Sequence, residues 1–227
     1  MHSIGSGCDC CRGAVLSRRG LLGAGIAGAM GFGAAAQSTM APAAAVQELL
    51  DGNKRYVGQH PSSSSQDFAN LRRSTAAKQQ PFAAVLSCAD SRVPVELVFD
   101  QSIGQLFVTR VAGNVASPDI IASLEYGAAV LGTRAIMVLG HSACGAVKAT
   151  MDGKAVPGQI SALFAAIRPA VEAGGGDLAA AIKANAKIQA NLLATASPVL
   201  AGAIKDGKLQ IVAGYYDLDS GVVSVLG

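Results

Sequence analysis

Strand-like and helix-like segments alternate along most of this 227-residue chain, which predicts an α/β fold: a largely parallel central β-sheet flanked by helices in a single domain. Two further observations point the same way. The apolar runs "FAAVLSC" from Phe82 and "RAIMVLGH" ending at His141 are continuous rather than alternating, as in strands buried on both faces. Hydrophobic residues make up 51% and charged residues 15%, enough for one compact core. Aromatics are 4% with no Trp, which suits helices packed closely on a sheet better than an aromatic-rich sandwich. A net charge of +3, without a basic stripe or stacking platform, argues against nucleic acid as a partner.

The amino terminus is of another kind. "LSRRGLLGAGIAGAMGFGAAA", from Leu16, sets an arginine pair before a weakly apolar Gly/Ala run and small residues of the A-x-A kind, and it resembles a twin-arginine export signal. The run has the length of a marginal membrane span, and its glycines make it a poor permanent anchor. The expected organisation is a signal over 1–36, removed after about Ala36, and a domain over 37–227. The mature protein is then expected outside a bacterial cytoplasm, periplasmic or extracellular, with no stable membrane insertion. Gly23, Gly25 and Gly28 spell the dinucleotide pattern G-x-G-x-x-G, but no strand precedes them and no βαβ unit follows, so the match is noise. Cys8, Cys10 and Cys11 would leave with the signal. Cys88 and Cys144 stay, and for an exported chain their count alone favours a disulfide.

The elements follow in order. Val46, Leu49, Leu50 and Val57 recur at helical spacing and predict a helix over 43–59, ended by the polar "PSSSS". A second helix is expected over 67–78, with Pro81 beyond it, and the strand from Phe82 comes next. "QLFVTRVAGN" predicts a strand over 105–111, and a helix over 118–131 leads to the strand ending at His141. A short helix toward Met151, longer ones over 159–173 and 178–204, and a strand with a hairpin-like turn in "LQIVAGYYDLDSGVVSV" complete the chain. In such sheets ligands gather outside the carboxyl ends of the strands. Both cysteine motifs are expected at that edge.

"CADSRVPVE" sets Cys88, Asp90 and Arg92 at alternate positions, which in an extended chain leave by one face. A thiolate beside a carboxylate calls for a positive group between them, either Arg92, a metal ion or both. "GHSACGAV" adds His141 and Cys144, the latter at a helix amino terminus, where free N–H groups favour a thiolate. Two thiolates and one imidazole suit zinc, and three ligands leave one position open, as in catalytic zinc sites. Asp90 either becomes the fourth ligand or is drawn off the metal by the guanidinium fork of Arg92.

At this point the chain resembles the β-class carbonic anhydrases. "LLDGNKRY", "QQPFAAVLSCADSRVPVE", "LFVTRVAGN", "SLEYGAAVLG", "VLGHSACGAV" and "GYYDLDSGVVSV" match that family in order from about Ala44 to the carboxyl terminus. The resemblance implies Cys88, His141 and Cys144 as zinc ligands, Asp90 and Arg92 as the catalytic pair, and Gln79, Phe107 and Tyr126 as substrate-pocket residues. It implies a lyase that hydrates CO2 reversibly to bicarbonate and a proton, with zinc-bound hydroxide as the nucleophile. It also implies a homodimer or larger homo-oligomer, because the family's pocket lies at a subunit interface. Val111 replaces an Asn common after the arginine at 110, a change expected to be tolerated. Val85 stands where members with a second, inhibitory bicarbonate site carry Trp, so that regulation is not expected here.

Apolar Phe107 and Val85 are candidates to wall the CO2 site. Two thiolates donate more charge than imidazoles do, so activity is expected to favour alkaline pH. His60, beside "PSSSS", is a candidate proton shuttle or a plain loop residue. Two alternatives stand beside this reading: hydrolysis of carbonyl sulfide or carbon disulfide, which relatives with the same ligands carry out, and a non-catalytic exported protein with a Cys88–Cys144 disulfide.

Overall fold

A computed structural model describes residues 39–62 and 67–227. The expected signal, the Gly23–Gly25–Gly28 pattern and Cys8, Cys10 and Cys11 lie outside the described residues. Five strands form one sheet: β1 Ala83–Ser87, β2 Leu106–Arg110, β3 Ala135–His141, β4 Gln210–Tyr216 and β5 Val223–Leu226. Their order is β2-β1-β3-β4-β5. β1 runs parallel to β2 and β3, and β3 parallel to β4; β5 returns antiparallel to β4. This is the α/β architecture expected from the alternation, with the antiparallel edge supplied by the terminal turn.

Both faces of the sheet are covered, which accounts for the unbroken apolar runs. Ala83, Val85, Met137 and Leu139 point to one side and pack with Ala45, Val46 and Leu49 of helix α1, Pro42–Val57. Ala84, Leu86, Ile136 and Val138 point to the other. There they meet Leu124 of α4, Pro118–Ala129, Leu193 of α7, Leu178–Ala196, and Leu200 of α8, Pro198–Lys205. Helix α2, Phe68–Thr75, begins where the Asp67 side chain accepts the Ala69 and Asn70 N–H groups. It buries none of its residues.

α1 is fastened by its polar residues as well. Asn53 is buried; its amide donates to the Val98 and Gly221 carbonyls at 3.0 and 2.9 Å and accepts the Val223 N–H at 2.8 Å. Gly52 sits so close to the chain at Phe99 that a Cβ would lie 1.8 Å from the Phe99 carbonyl oxygen. "LLDGNKRY" is thus a contact surface for the segment just after the Asp90–Arg92 turn.

Several boundaries differ from expectation. The helix expected over 178–204 is two helices, because Pro198 lacks an N–H and forces the preceding Ser197 into extended backbone, φ −101° and ψ 112°. Ser197 then caps α8 by accepting the Leu200 N–H. The segment expected over 159–173 opens as a 3-10 turn, Ile160–Leu163, before α6, Phe164–Ala173. A short helix α3, Val95–Val98, follows the Asp90–Arg92 turn unanticipated, and α5 spans Gly145–Asp152. α1 stops at Val57, short of 59, and α2 at Thr75, short of 78.

Candidate active site

Three of the expected ligands meet at the carboxyl end of the sheet. Cys88 follows the last residue of β1, His141 ends the neighbouring β3, and Cys144 is the N-cap of α5. Their ligand atoms all lie within 4.8 Å of one another. All three residues are buried, His141 completely. The turn that brings Cys144 back over His141 puts Ala143 at φ 55°, and it is tied to the end of β4 by Ser142 N–H to the Tyr216 carbonyl and to the loop beyond it by Leu218 N–H to Ser142 Oγ.

The donor set has the character a metal requires. His141 Nδ1 is 2.9 Å from the Ser142 carbonyl oxygen. A carbonyl only accepts, so in the neutral ring this contact places the proton on Nδ1 and leaves Nε2 as a lone pair. Nε2 is buried and has no hydrogen-bond partner among the described residues. Cys88 and Cys144 are free thiols, not a disulfide, so the non-catalytic alternative lacks its defining bond. The neighbouring Cys144, then His141 and the Gly113 N–H at 3.3 Å, lower the pKa of Cys88. Adjacent Cys88 and burial push Cys144 up, against the N–H groups of Val147 and Ala146 that favour its thiolate. Two adjacent buried thiols thus resist ionising together, and a divalent cation between them would favour both thiolates. Two sulfurs and one imidazole nitrogen fit zinc.

Asp90 stands beside this cluster, with Oδ2 3.8 Å from His141 Nε2. Arg92 holds it: Oδ1 accepts the Arg92 backbone N–H and Nε–H at 2.9 and 3.0 Å, and Oδ2 accepts Nη2–H at 2.8 Å. The Arg92 guanidinium keeps the Asp90 carboxyl well below the usual carboxylate range. The alternate-residue reading therefore needs correction. β1 ends at Ser87, and the carboxylate and guanidinium converge through a turn closed on Asp90 rather than along an extended strand. Arg92 also reaches the Ala143 carbonyl at 3.4 Å, so it bridges the two cysteine loops.

The remaining candidates are elsewhere. Val85 is fully buried on the opposite face of β1 from Ala84 and Leu86, packed with α1, and walls no cleft. Gln79 and Tyr126 line a cleft of about 460 Å³ with Thr75 and Leu131, and the Tyr126 and Phe107 rings are 6.3 Å apart. Phe107 pairs with Ala84, four residues before Cys88, which is about 13 Å along the strand. These three side chains thus cluster with one another toward the amino ends of β1 and β2. His60 is an exposed residue of the turn after α1.

Sequence reasoning missed two groups. Arg110, at the end of β2, donates to the Cys88 carbonyl at 2.9 Å and to the Asp90 carbonyl, fixing the backbone between the ligand and the carboxylate. Gly113 gives its N–H to Cys88 Sγ. The stretch "RVAGN" carries both, and its Arg and Gly spacing was the available signal.

Residues 83–223 match the protein-family model described as Carbonic anhydrase. Carbonic anhydrase 2 of Mycobacterium tuberculosis is 37% identical over 191 residues, covering 79% of this chain and 90% of the relative. The carbonic anhydrase of Pseudomonas aeruginosa is 32% identical over 198 residues, covering 80% and 87%. Among solved structures, a tetrameric β-carbonic anhydrase of Sordaria macrospora superposes with a TM-score of 0.65 at 22% identity, covering 80% of this chain and 96% of that one. The Coccomyxa β-carbonic anhydrase in complex with acetazolamide gives 0.62 at 25%, covering 80% and 86%. Family match, relatives and fold agree with the sulfur, nitrogen and carboxylate groups at the sheet's edge, and the chain belongs to the β-class carbonic anhydrase family.

Proposed function

We propose that this carbonic anhydrase hydrates CO2 to bicarbonate and a proton at a zinc centre held by Cys88, His141 and Cys144, with Asp90 and Arg92 as its catalytic pair. The observation that carries this reading is a buried imidazole lone pair facing no partner among the described residues, within 4.8 Å of two free thiols. When bound, zinc supplies the Lewis acidity that makes a water molecule nucleophilic near neutral pH. The chain does the rest. Asp90, anionic and oriented by Arg92, accepts a hydrogen bond from the nucleophile and turns a lone pair toward the CO2 carbon. Arg92 keeps the carboxylate from closing over the metal, and Arg110 holds the backbone of both Cys88 and Asp90 while this happens. The Ser142 carbonyl keeps His141 in the tautomer a ligand needs.

The substrate pocket is completed by a second copy of the chain. Gln79, Phe107 and Tyr126 line up on the surface away from the Cys–His–Cys cluster of their own chain, and the match of these positions to the family's interfacial pocket supports their serving the partner's cluster. We also propose export by a twin-arginine signal over 1–36, ahead of the domain at 37–227. No helix among the described residues is long and apolar enough to cross a membrane. Arg18→Lys with Arg19→Lys should hold the precursor in the cytoplasm with zinc content unchanged; efficient export of that variant would dismiss the signal.

Stopped-flow CO2 hydration on protein of measured metal content tests the main reading. Turnover should scale with zinc occupancy. Hydrolysis of carbonyl sulfide without CO2 hydration would replace the substrate, and activity independent of zinc would replace the mechanism.

A further inference from the structure

Helix α7 carries two primary amides on its buried face. Asn185 is 0% and Gln189 1% exposed, in a helix whose other buried residues are Ala, Ile and Leu. Four residues apart, they share one side of the helix. Burying amides is costly unless their polar atoms are bonded, and these are bonded to the loop after β2. Asn185 Nδ2 donates to the Gly113 carbonyl at 2.8 Å, and Gln189 Oε1 accepts the Ala116 N–H at 2.9 Å. Gln189 Nε2 donates to the Ala166 carbonyl at 3.1 Å and to Asn185 Oδ1 at 3.3 Å, so the first amide is itself oriented by the second. On the other side of the Gly113 Cα from the carbonyl that Asn185 holds, the Gly113 N–H goes to Cys88 Sγ at 3.3 Å. Gly113 has φ +76°, and a Cβ there would stand 2.7 Å from Ile167 Cδ1, so the loop is pressed into this conformation from the other side.

We propose that Asn185 and Gln189 are positioning residues of the metal centre: by holding the Gly113 carbonyl and the Ala116 N–H they fix the backbone at Gly113 so that its N–H points at Cys88 Sγ, and set how much charge that sulfur gives the metal. The proposal rests on the reading of Cys88, His141 and Cys144 as zinc ligands. An N–H directed at a thiolate draws charge away from it. In a site with two sulfur donors, that partly offsets the loss of Lewis acidity that thiolates bring. A purely structural role, satisfying the buried Gly113 carbonyl and Ala116 N–H, would leave the sulfur indifferent to these amides.

Cobalt(II) substitution separates the two roles, because thiolate-to-cobalt charge transfer reports on the sulfur directly. Folded Asn185→Leu, close in size but without the donor, should bind one cobalt with the band moved to lower energy. Its zinc affinity in chelator competition should fall about 10-fold. Gln189→Leu should move both readouts in the same direction by less, and it decides the matter if Asn185→Leu does not fold. Leu49→Ala, a core truncation on the opposite face of the sheet, should lower stability and leave the band in place. An unmoved band with unchanged affinity in the folded α7 variants overturns the proposal. A wild-type cobalt protein with no thiolate band overturns it at its base, by removing the metal centre itself.

Discussion

The two ends of strands β1 and β2 are built on opposite plans. At the carboxyl end, polar groups are held from within the chain: Asp90 by Arg92, the Cys88 and Asp90 carbonyls by Arg110, Cys88 Sγ by Gly113 and His141 by Ser142. Toward the amino end, the side chains matched to the substrate pocket lie on an apolar surface. Tyr126 is 48% exposed, α2 buries nothing, and Phe68 and Leu97, 56% and 57% exposed, flank a cleft of about 290 Å³. Directional hydrogen bonds fix each of these groups from within one chain, whereas exposed apolar surface gains by burial against any complementary face. The contrast is the one expected if, as proposed, one chain holds the metal and a second completes the substrate pocket.

The largest expected effects break the carboxyl end. Cys88→Ser, His141→Ala and Cys144→Ser should each lose zinc and with it CO2 hydration, because a three-ligand site has none to spare; metal analysis after gel filtration reads this directly, and full retention in any of them removes that ligand from the set. Arg92→Ala should keep zinc yet lose about 100-fold in kcat/KM, since Asp90 is then free to move onto the metal and no longer aims the nucleophile. Adding Asp90→Asn should cost little more, because the two residues act as a unit. Additive losses in that double mutant would show that they act separately.

The next effects come from the amino end. Phe68→Glu with Leu97→Glu should convert the proposed oligomer to monomer by light scattering, with zinc content unchanged and activity reduced by less than in Arg92→Ala. A monomer of full activity would show that one chain completes its own pocket. Smaller still, Asn53→Ala should cost about 3 kcal/mol of stability in denaturant melts, since three buried backbone groups lose their partners. Zinc stoichiometry should not change. With respect to pH, Asp90 is already ionised below the ordinary carboxylate range, so its protonation does not set the acid limb of activity. Residual activity in Asp90→Asn should fall off at the same pH as the wild type.

Much of this was legible in the sequence. Continuous apolar runs marked β1 and β3, and placing those strands side by side was enough to bring Cys88, His141 and Cys144 together. Short-range rules would also have separated α7 from α8, since Pro198 carries its own stop signal, but Ala-rich helical periodicity on both sides masks it. Other features depend on which way a side chain faces after folding. Val85 looked adjacent to the site because it lies three residues from Cys88, yet it points to the α1 side of the sheet. Gly113, Asn185 and Gln189 are far from one another or from Cys88 along the chain, and their bonds exist only once α7 lies over the loop after β2. Local pattern reveals ligands; long-range contact reveals what holds them.

The central claim is that Cys88, His141 and Cys144 hold a zinc ion with one position left open. Zinc-edge absorption spectroscopy on the purified mature protein, with metal content and thiol titration on the same sample, tests it most directly. The account predicts one zinc per chain, two sulfurs at about 2.3 Å with nitrogen and oxygen at about 2.0–2.1 Å, and two titratable thiols after denaturation. A metal-free protein with no titratable thiol, its two cysteines joined, would contradict it.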